Sequence, residues 1–387
     1  MSKRANGEGT VRQRPDGRWE GRYKDPFTGK QKSIYGKTQK EVISKLRITL
    51  YENDAGNFVA DNSLTLNEWF EIYMEQYKSG VVKPQTENLM RSRYYNHVKP
   101  IIGNKELSAI VESDIRAVLQ KLKEKYLSIS TVKIITKELS ALLNKAQSKG
   151  FIKEIPTKDI VIPQKYFKEP VKKRELTNEE ISWFFKGLAE YKPSDVLYFE
   201  ILYYTGARRG EIASLRWCDI SEDFSIIHIN STYIEYSDVQ TKKYVKKVGT
   251  TKTETSVRDI PLPECICEEL KKKKENAKLI ASQFNRDFSN ENYIFINASD
   301  NTILRTGHYT NIVNATIRFL EKNYNVNLQH FSMHYFRHTF TSQALRKNVS
   351  METLKQILGH SSYAMIDKIY AHCSIDDKSK AINQMFQ

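Results

Sequence analysis

The chain has 387 residues, with 61 Lys plus Arg against 46 Asp plus Glu and a formal charge of +15, a length that predicts two or three domains and a cation excess that points to a polyanion, nucleic acid first, as partner. Hydrophobic residues make up 40% of the chain and include 22 Tyr and 17 Phe, enough for packed cores and too much for a disordered protein. No run of about 18 apolar residues occurs, and the polar Met1–Thr10 segment has no apolar middle region, so neither a membrane span nor a secretory signal is expected and the cytoplasm is the expected compartment.

Between residues 10 and 36, short β-like runs at Thr10–Arg14, Arg18–Tyr23 and Lys32–Tyr35 are separated by the turn signals Pro15-Asp16-Gly17 and Asp25-Pro26-Phe27-Thr28-Gly29. This pattern predicts a three-stranded antiparallel meander. Thr38-Gln39-Lys40-Glu41 has capping-box form and predicts a helix reaching about Asn53. Residues 1–60 carry 13 Lys plus Arg and 7 Asp plus Glu, a balance of +6. Arg12, Arg14, Arg18, Trp19, Arg22 and Tyr23 are the candidate DNA contacts of this small sheet.

After a flexible joint near 54–63, apolar residues recur at helical spacing: Leu66, Trp69, Phe70, Tyr73, Met74 and Tyr77 form one stripe, and Ile115, Val118, Leu119 and Leu122 another. A bundle of about four helices over 64–155 is predicted, interrupted at Pro84, Pro100 and Gly103. Residues 156–174 are rich in Pro and Lys and read as an extended cationic linker, with Lys172, Lys173 and Arg174 as candidate phosphate contacts. A second capping box, Thr177-Asn178-Glu179-Glu180, opens a domain over 175–387. That domain reads as mostly helical with a β-like island between Ser225 and Leu262. The fold class expected is therefore mainly α with small β elements.

Four segments of the last domain carry chemistry. Thr205-Gly206-Ala207-Arg208-Arg209-Gly210-Glu211 sets a glycine turn and arginines ahead of a helix, a place suited to a phosphate; Arg208 and Arg209 point about 100° apart, so only one of them faces such a group. Thr250–Arg258 lies between β-like runs and reads as a hairpin tip or its first turn, from which Lys252 can donate a proton. Met333–Phe340 places His334 and Arg337 one helical turn apart, and also His334 and His338 at metal-pair spacing, but no third ligand is evident and no metal is expected. Leu358-Gly359-His360-Ser361 ends a helix, and ten residues after His360 comes Tyr370 in Ile369-Tyr370-Ala371-His372. Cys218, Cys265, Cys267 and Cys373 have no Cys-x-x-Cys spacing and are expected as reduced thiols.

Taken together and in this order, Arg208, Lys252, His334, Arg337, His360 and Tyr370 resemble the tyrosine recombinase (phage integrase) family, and the whole chain resembles the three-part integrases of phages and conjugative transposons. The resemblance implies a site-specific DNA recombinase that integrates and excises a mobile element. Tyr370 would be the nucleophile that forms a 3′-phosphotyrosine, Arg208 and Arg337 the phosphate clamp, and Lys252 the donor to the leaving 5′-oxygen. His334 would favour loss of the Tyr370 proton, His360 would donate to the phosphate, and Glu211 would steady the site. The two guanidiniums would take the part a metal plays elsewhere, so no cofactor is expected.

The same resemblance implies that residues 1–60 bind arm sites, that 64–155 and the catalytic domain clamp the core site, and that four protomers assemble on DNA. An accessory DNA-bending protein and an excisionase are the expected helpers. An amphipathic tail, 374–387, would dock on the next protomer, and Arg209 would be a salt-bridging or DNA-backbone residue. No role for Arg258 follows from the sequence. A type IB topoisomerase and a DNA-binding regulator without chemistry are the competing readings.

Overall fold

The structure, a computed structural model, describes residues 10–24, 31–53, 64–169, 174–250, 256–297 and 299–359. Lys252, His360, Tyr370, Lys172, Lys173, the joint at 54–63 and the tail at 374–387 lie outside the described residues. The chain divides into two compact units, Met1–Val171 and Lys172–Gln387, so the break falls within the Pro- and Lys-rich segment.

The first unit opens with the meander: β1 (Thr10–Gln13), β2 (Trp19–Lys24) and β3 (Gln31–Gly36) pair antiparallel in that order, followed by α1 (Gln39–Asn53). Gly17, at φ +81, closes the first turn with its N–H on the Arg14 carbonyl at 3.0 Å. At the start of α1 the Glu41 amide donates to Thr38 Oγ1 at 3.2 Å, and the Glu41 carboxylate accepts from the Lys37 amide at 2.8 Å. The register sets Arg12 opposite Glu20, Glu20 opposite Tyr35 and Arg22 opposite Ser33, so these five side chains share one face. Helix α1 covers the other face through buried Val42 and Leu46, and it approaches so closely that a Cβ on Gly21 would lie 2.7 Å from Val42 Cγ1. Trp19 and Tyr23, expected beside the arginines, alternate to this helix side. Tyr35 stands in their place, half-exposed, with the Arg14 and Arg18 guanidiniums 5.5 and 5.9 Å from its ring centre.

The bundle comprises α2 (Leu66–Tyr77), α3 (Pro84–Arg93), α4 (Lys99–Ile102), α5 (Glu112–Glu124) and α6 (Ile129–Ser148). Its helix starts follow from local chemistry. Thr65 and Glu68 form a capping box at α2, Pro84 occupies the first turn of α3, and the Ser128 hydroxyl accepts from Thr131 N at α6. Pro100 has no N–H to return to the preceding turn, and residues Tyr94–Val98 just before it adopt a wider π turn. Both predicted stripes face inward: Leu66, Trp69, Met74, Ile115, Val118 and Leu122 are buried with Val132, Leu139 and Leu143 of α6. Each such side chain contributes about 1.5–3 kcal/mol of hydrophobic stabilisation. Trp69 also satisfies its indole N–H on the Leu142 carbonyl at 3.0 Å. The Pro- and Lys-rich segment does not run free throughout: Phe167 is buried in the bundle core, and Lys168 exchanges backbone bonds with Leu127 and Ile129.

The second unit contains α7 (Asn178–Tyr191), α8 (Val196–Thr205), α9 (Arg209–Ala213), β4 (Ile226–Ile229), β5 (Ser231–Ser237), β6 (Tyr244–Thr250), β7 (Arg258–Pro261), α10 (Glu264–Gln283), α11 (Thr306–Tyr324), α12 (His334–Arg346) and α13 (Met351–Leu358). The Thr177–Glu180 capping box starts α7 as predicted, with both reciprocal bonds formed. The core lies among α7, α8, α11 and α12, where Phe184, Phe199, Phe331 and Phe336 pack edge to face and Tyr198 stacks on Tyr309. The β-like island resolves into two sheets: β5 pairs with β6 around a turn at Asp238–Lys243, and β7 pairs with β4. Strands β6 and β7 thus belong to different sheets, and residues 251–255, where a hairpin tip or its first turn is expected, lie outside the described residues. No helix among the described residues is long and apolar enough to cross a membrane.

Candidate active site

Helix α8 ends at Gly206, whose φ of +61 turns the chain sharply so that Arg208 caps the next helix, α9. A Cβ on Gly206 would lie 2.6 Å from the Phe340 ring in a conformation that L side chains disfavour. Gly206→Ala should therefore destabilise the protein by about 2–4 kcal/mol, read as a lowered urea midpoint at unchanged slope. An unchanged midpoint would show that this turn does not need glycine.

Three arginines converge on one carboxylate. Glu211, in the first turn of α9, is 2% exposed. Its Oε1 accepts from Arg208 Nη1 at 2.7 Å and its Oε2 from the Arg208 amide at 2.8 Å. From β7, Arg258 donates through Nη2 to Glu211 Oε2 at 2.8 Å and through Nη1 to Oε1 at 3.3 Å. From α12, Arg337 is 4% exposed and donates to the Gly206 carbonyl and the Leu358 carbonyl, each at 2.7 Å.

The same three arginines hold three successive carbonyls at the end of α13. Arg258 Nε donates to Ile357 O at 2.5 Å, Arg337 Nη2 to Leu358 O at 2.7 Å, and Arg208 Nη2 to Gly359 O at 3.2 Å. These carbonyls would otherwise be orphaned at a helix C-terminus, which favours cations. The backbone of Ile357, Leu358 and Gly359 is thus held at the arginine cluster.

The electrostatics follow from burial and crowding. Burial pushes the Glu211 carboxyl up, but the hydrogen bond and charge of Arg258, then the charge of Arg208, outweigh it and hold the group below the usual carboxylate range. Burial first, and then the neighbouring Arg208 and Arg258 charges, pull Arg337 down to about 9, which leaves it charged at neutral pH. Three guanidiniums against one carboxylate leave two net positive charges, and the Arg208 side chain, 37% exposed, opens the cluster to solvent. Such a site suits an oxyanion with two or more acceptor oxygens.

The predicted site residues are placed as follows. Arg208, Glu211 and Arg337 come together, whereas Arg209 is an exposed residue. His334 is the exposed first residue of α12, one turn before Arg337. Arg174 makes a two-pronged pair with Glu180 at 2.6 Å per bond and a third bond to Gln329, so it is fixed to its own unit. On the meander, Arg12 and Arg22 both donate to buried Glu20, as does Ser33. The Arg12 bond, then the Arg22 bond, hold the Glu20 carboxyl down at about 2. Sequence reasoning left Arg258 without a role and passed over Glu20 and Tyr35. Their only signals were an arginine two residues before Ile-Pro, and residues of the same strand parity as the arginines.

Residues 174–376, more than half of the chain, match the Phage integrase family, and residues 65–123 match the phage integrase N-terminal SAM-like domain. The chain belongs to the phage integrase family. It is a tyrosine-type site-specific DNA recombinase. Family members similar to it include a XerC-like tyrosine recombinase of Caldanaerobacter subterraneus subsp. tengcongensis, 25% identical over 370 residues that cover 92% of this chain and 91% of the relative. Among solved structures, the Tn1549 transposon integrase in complex with transposon right end DNA superposes with a TM-score of 0.70 at 20% identity, covering 84% of this chain and all of that one. The lambda integrase tetramer bound to a Holliday junction gives a TM-score of 0.55 at 18% identity, covering 95% and 96%. This integrase shares their fold, including the mostly helical architecture expected from its sequence.

Proposed function

We propose that the chain integrates and excises a phage or conjugative transposon, with Arg208 and Arg337 clamping the scissile phosphate. The observation that carries this reading is the surplus of cations over the one buried carboxylate: the transferred phosphodiester develops negative charge on its nonbridging oxygens, and guanidiniums fixed by backbone bonds meet that charge without reorganising. In this scheme the Tyr370 oxygen attacks phosphorus, the bond to the 5′-oxygen breaks, and Lys252 gives that oxygen its proton. The product is a 3′-phosphotyrosine and a free 5′-hydroxyl, so the bond energy is retained and the hydroxyl of a partner strand reverses the step. His334 favours loss of the Tyr370 proton, His360 donates to the phosphate, and Glu211 steadies Arg208.

The bundle and the catalytic domain grip the core site. The meander's Arg12, Arg22 and Tyr35 face, with Arg14 and Arg18 at its end, grips an arm site. Four protomers act together on DNA in the cytoplasm, with an excisionase and a DNA-bending protein as helpers. The test is a nicked suicide duplex carrying the element's own junction, incubated with the full chain and resolved on a denaturing gel. A protein–DNA adduct is expected whose nucleotide-bearing peptide contains Tyr370. Tight binding of the duplex with no adduct would reject recombinase chemistry for this chain in favour of a regulator.

The arm-site assignment makes its own prediction. Arg12→Ala removes one phosphate-reaching cation, so affinity for arm DNA should fall at every sequence and the slope of log K against log salt should shrink by about one unit. Titrations at several salt concentrations read this directly, and an unchanged slope would place the DNA elsewhere.

A further inference from the structure

We infer that Arg258 is a positioning residue of the strand-transfer site, acting through Glu211 and through the end of helix α13 rather than on the phosphate. The inference rests on the active-site reading above and assigns a role to a group that had none from sequence alone. Arg258 leaves β7 with its side chain only 6% exposed and its Nε, Nη1 and Nη2 all turned onto protein acceptors. Its bonds go to groups that orient others: two to Glu211, one to Ile357 O, and one from Nη1 to Ser256 O at 2.9 Å.

Two consequences follow. Glu211 accepts from Arg208 and Arg258 together, so Arg258 fixes the carboxylate that aims the Arg208 guanidinium. The bond to Ile357 O fixes the last turn of α13, where Gly359 turns left-handed at φ +62 with the Arg258 guanidinium packed against its Cα. A ring of contacts thus joins α9, β7 and α13, and Arg258 is the member that touches both partners without facing the opening. Small displacements of reacting groups can cost about 100-fold in rate, so losing this brace should slow cleavage while leaving DNA binding nearly intact.

A brace and a mere packing residue differ in their pH behaviour. Glu211 is faced by Arg208 from its own helix start, by Arg258 from β7 and by Arg337 from α12. Arg258 is the largest influence holding the carboxyl down against burial. Without it, burial prevails and Glu211 takes up a proton at higher pH than before, releasing Arg208.

The experiment is single-turnover cleavage of the suicide duplex by the full-length wild type, Arg258→Gln, Arg258→Lys and the double variant Arg258→Gln/Glu211→Gln, from pH 5 to 8.5, with duplex affinity and melting measured in parallel. Arg258→Gln should cleave about 10- to 100-fold more slowly near pH 7 with duplex affinity within about twofold, and should gain an acid limb absent from wild type. The double variant should lose that limb because nothing remains to protonate, and Arg258→Lys should restore the flat profile and part of the rate. An Arg258→Gln protein with a flat profile, or one whose limb persists in the double variant, would overturn the inference. If Arg258→Gln fails to fold, Arg258→Lys carries the test, since it keeps the charge but not the fork: a wild-type rate from it would overturn the inference equally. Absence of an adduct from wild type would instead reject the function proposed above, so the two failures are distinguishable.

Discussion

A Tyr370→Phe protein should bind the junction duplex as wild type does and leave no covalent adduct on a denaturing gel. The substitution removes one oxygen and keeps the ring, so the arginine cluster that would grip the phosphate is untouched and only the nucleophile is missing. Several described tyrosines of the second unit are shifted away from such a role. Burial drives Tyr198 and Tyr309 well above the ordinary phenol value, and they stack on each other within the core. Burial also raises Tyr233 to about 12 and raises Tyr204 and Tyr244. A phenol that attacks phosphorus must give up its proton, so each of these is shifted in the wrong direction. The decisive comparison is adduct yield against bound fraction at one protein concentration. An adduct formed by Tyr370→Phe at the wild-type rate would move the nucleophile elsewhere in the chain.

What the sequence could reveal follows from the range of the interactions involved. The meander, the α7 capping box and the two bundle stripes are local patterns of two to four residues' spacing, and all appear where the spacing puts them. That only one of Arg208 and Arg209 faces a given group was also local in origin, while the choice of Arg208 came from the resemblance of the motif to the family. Tertiary facts were hidden. That Trp19 and Tyr23 turn towards α1 depends on which sheet face the helix covers, a choice made by Val42, Leu46 and the space over Gly21. The partners of Arg258 lie 47 and 99 residues away along the chain, and no periodicity connects them. Phe167 enters the bundle core from a segment whose composition reads as linker, since one aromatic among prolines and lysines has no pattern to announce it. The pairing of strands was hidden for the same reason: β5, β6 and β7 are near in sequence, but β7 pairs back to β4, a choice that only packing makes.

Arg337→Ala should cost far more in rate than in stability. On the stability side, the truncation strips the Gly206 and Leu358 carbonyls of their donors, and each buried acceptor left without a partner costs about 1–3 kcal/mol. Opposing this, the variant no longer holds a desolvated cation beside Arg208 and Arg258, the groups that together with burial pull Arg337 down to about 9. The two effects have opposite sign, so a net loss of about 1–3 kcal/mol is expected, visible as a modest fall in melting temperature. On the rate side there is no compensation. A guanidinium carries five N–H groups in a rigid fork, and the bonds to the Gly206 and Leu358 carbonyls fix the orientation of that fork. Removing an arginine that stabilises the transition state of phosphoryl transfer costs about 10³- to 10⁵-fold. Arg337→Lys keeps a charge at the site but cannot bridge Gly206 O and Leu358 O with the same planar fork, so its cleavage rate should fall between the two. Single-turnover cleavage of the suicide duplex, with affinity and melting measured on the same preparations, separates these effects. Near-wild-type cleavage by Arg337→Ala would mean that the buried arginine only staples α8 to α13 and that the phosphate is held by Arg208 without it.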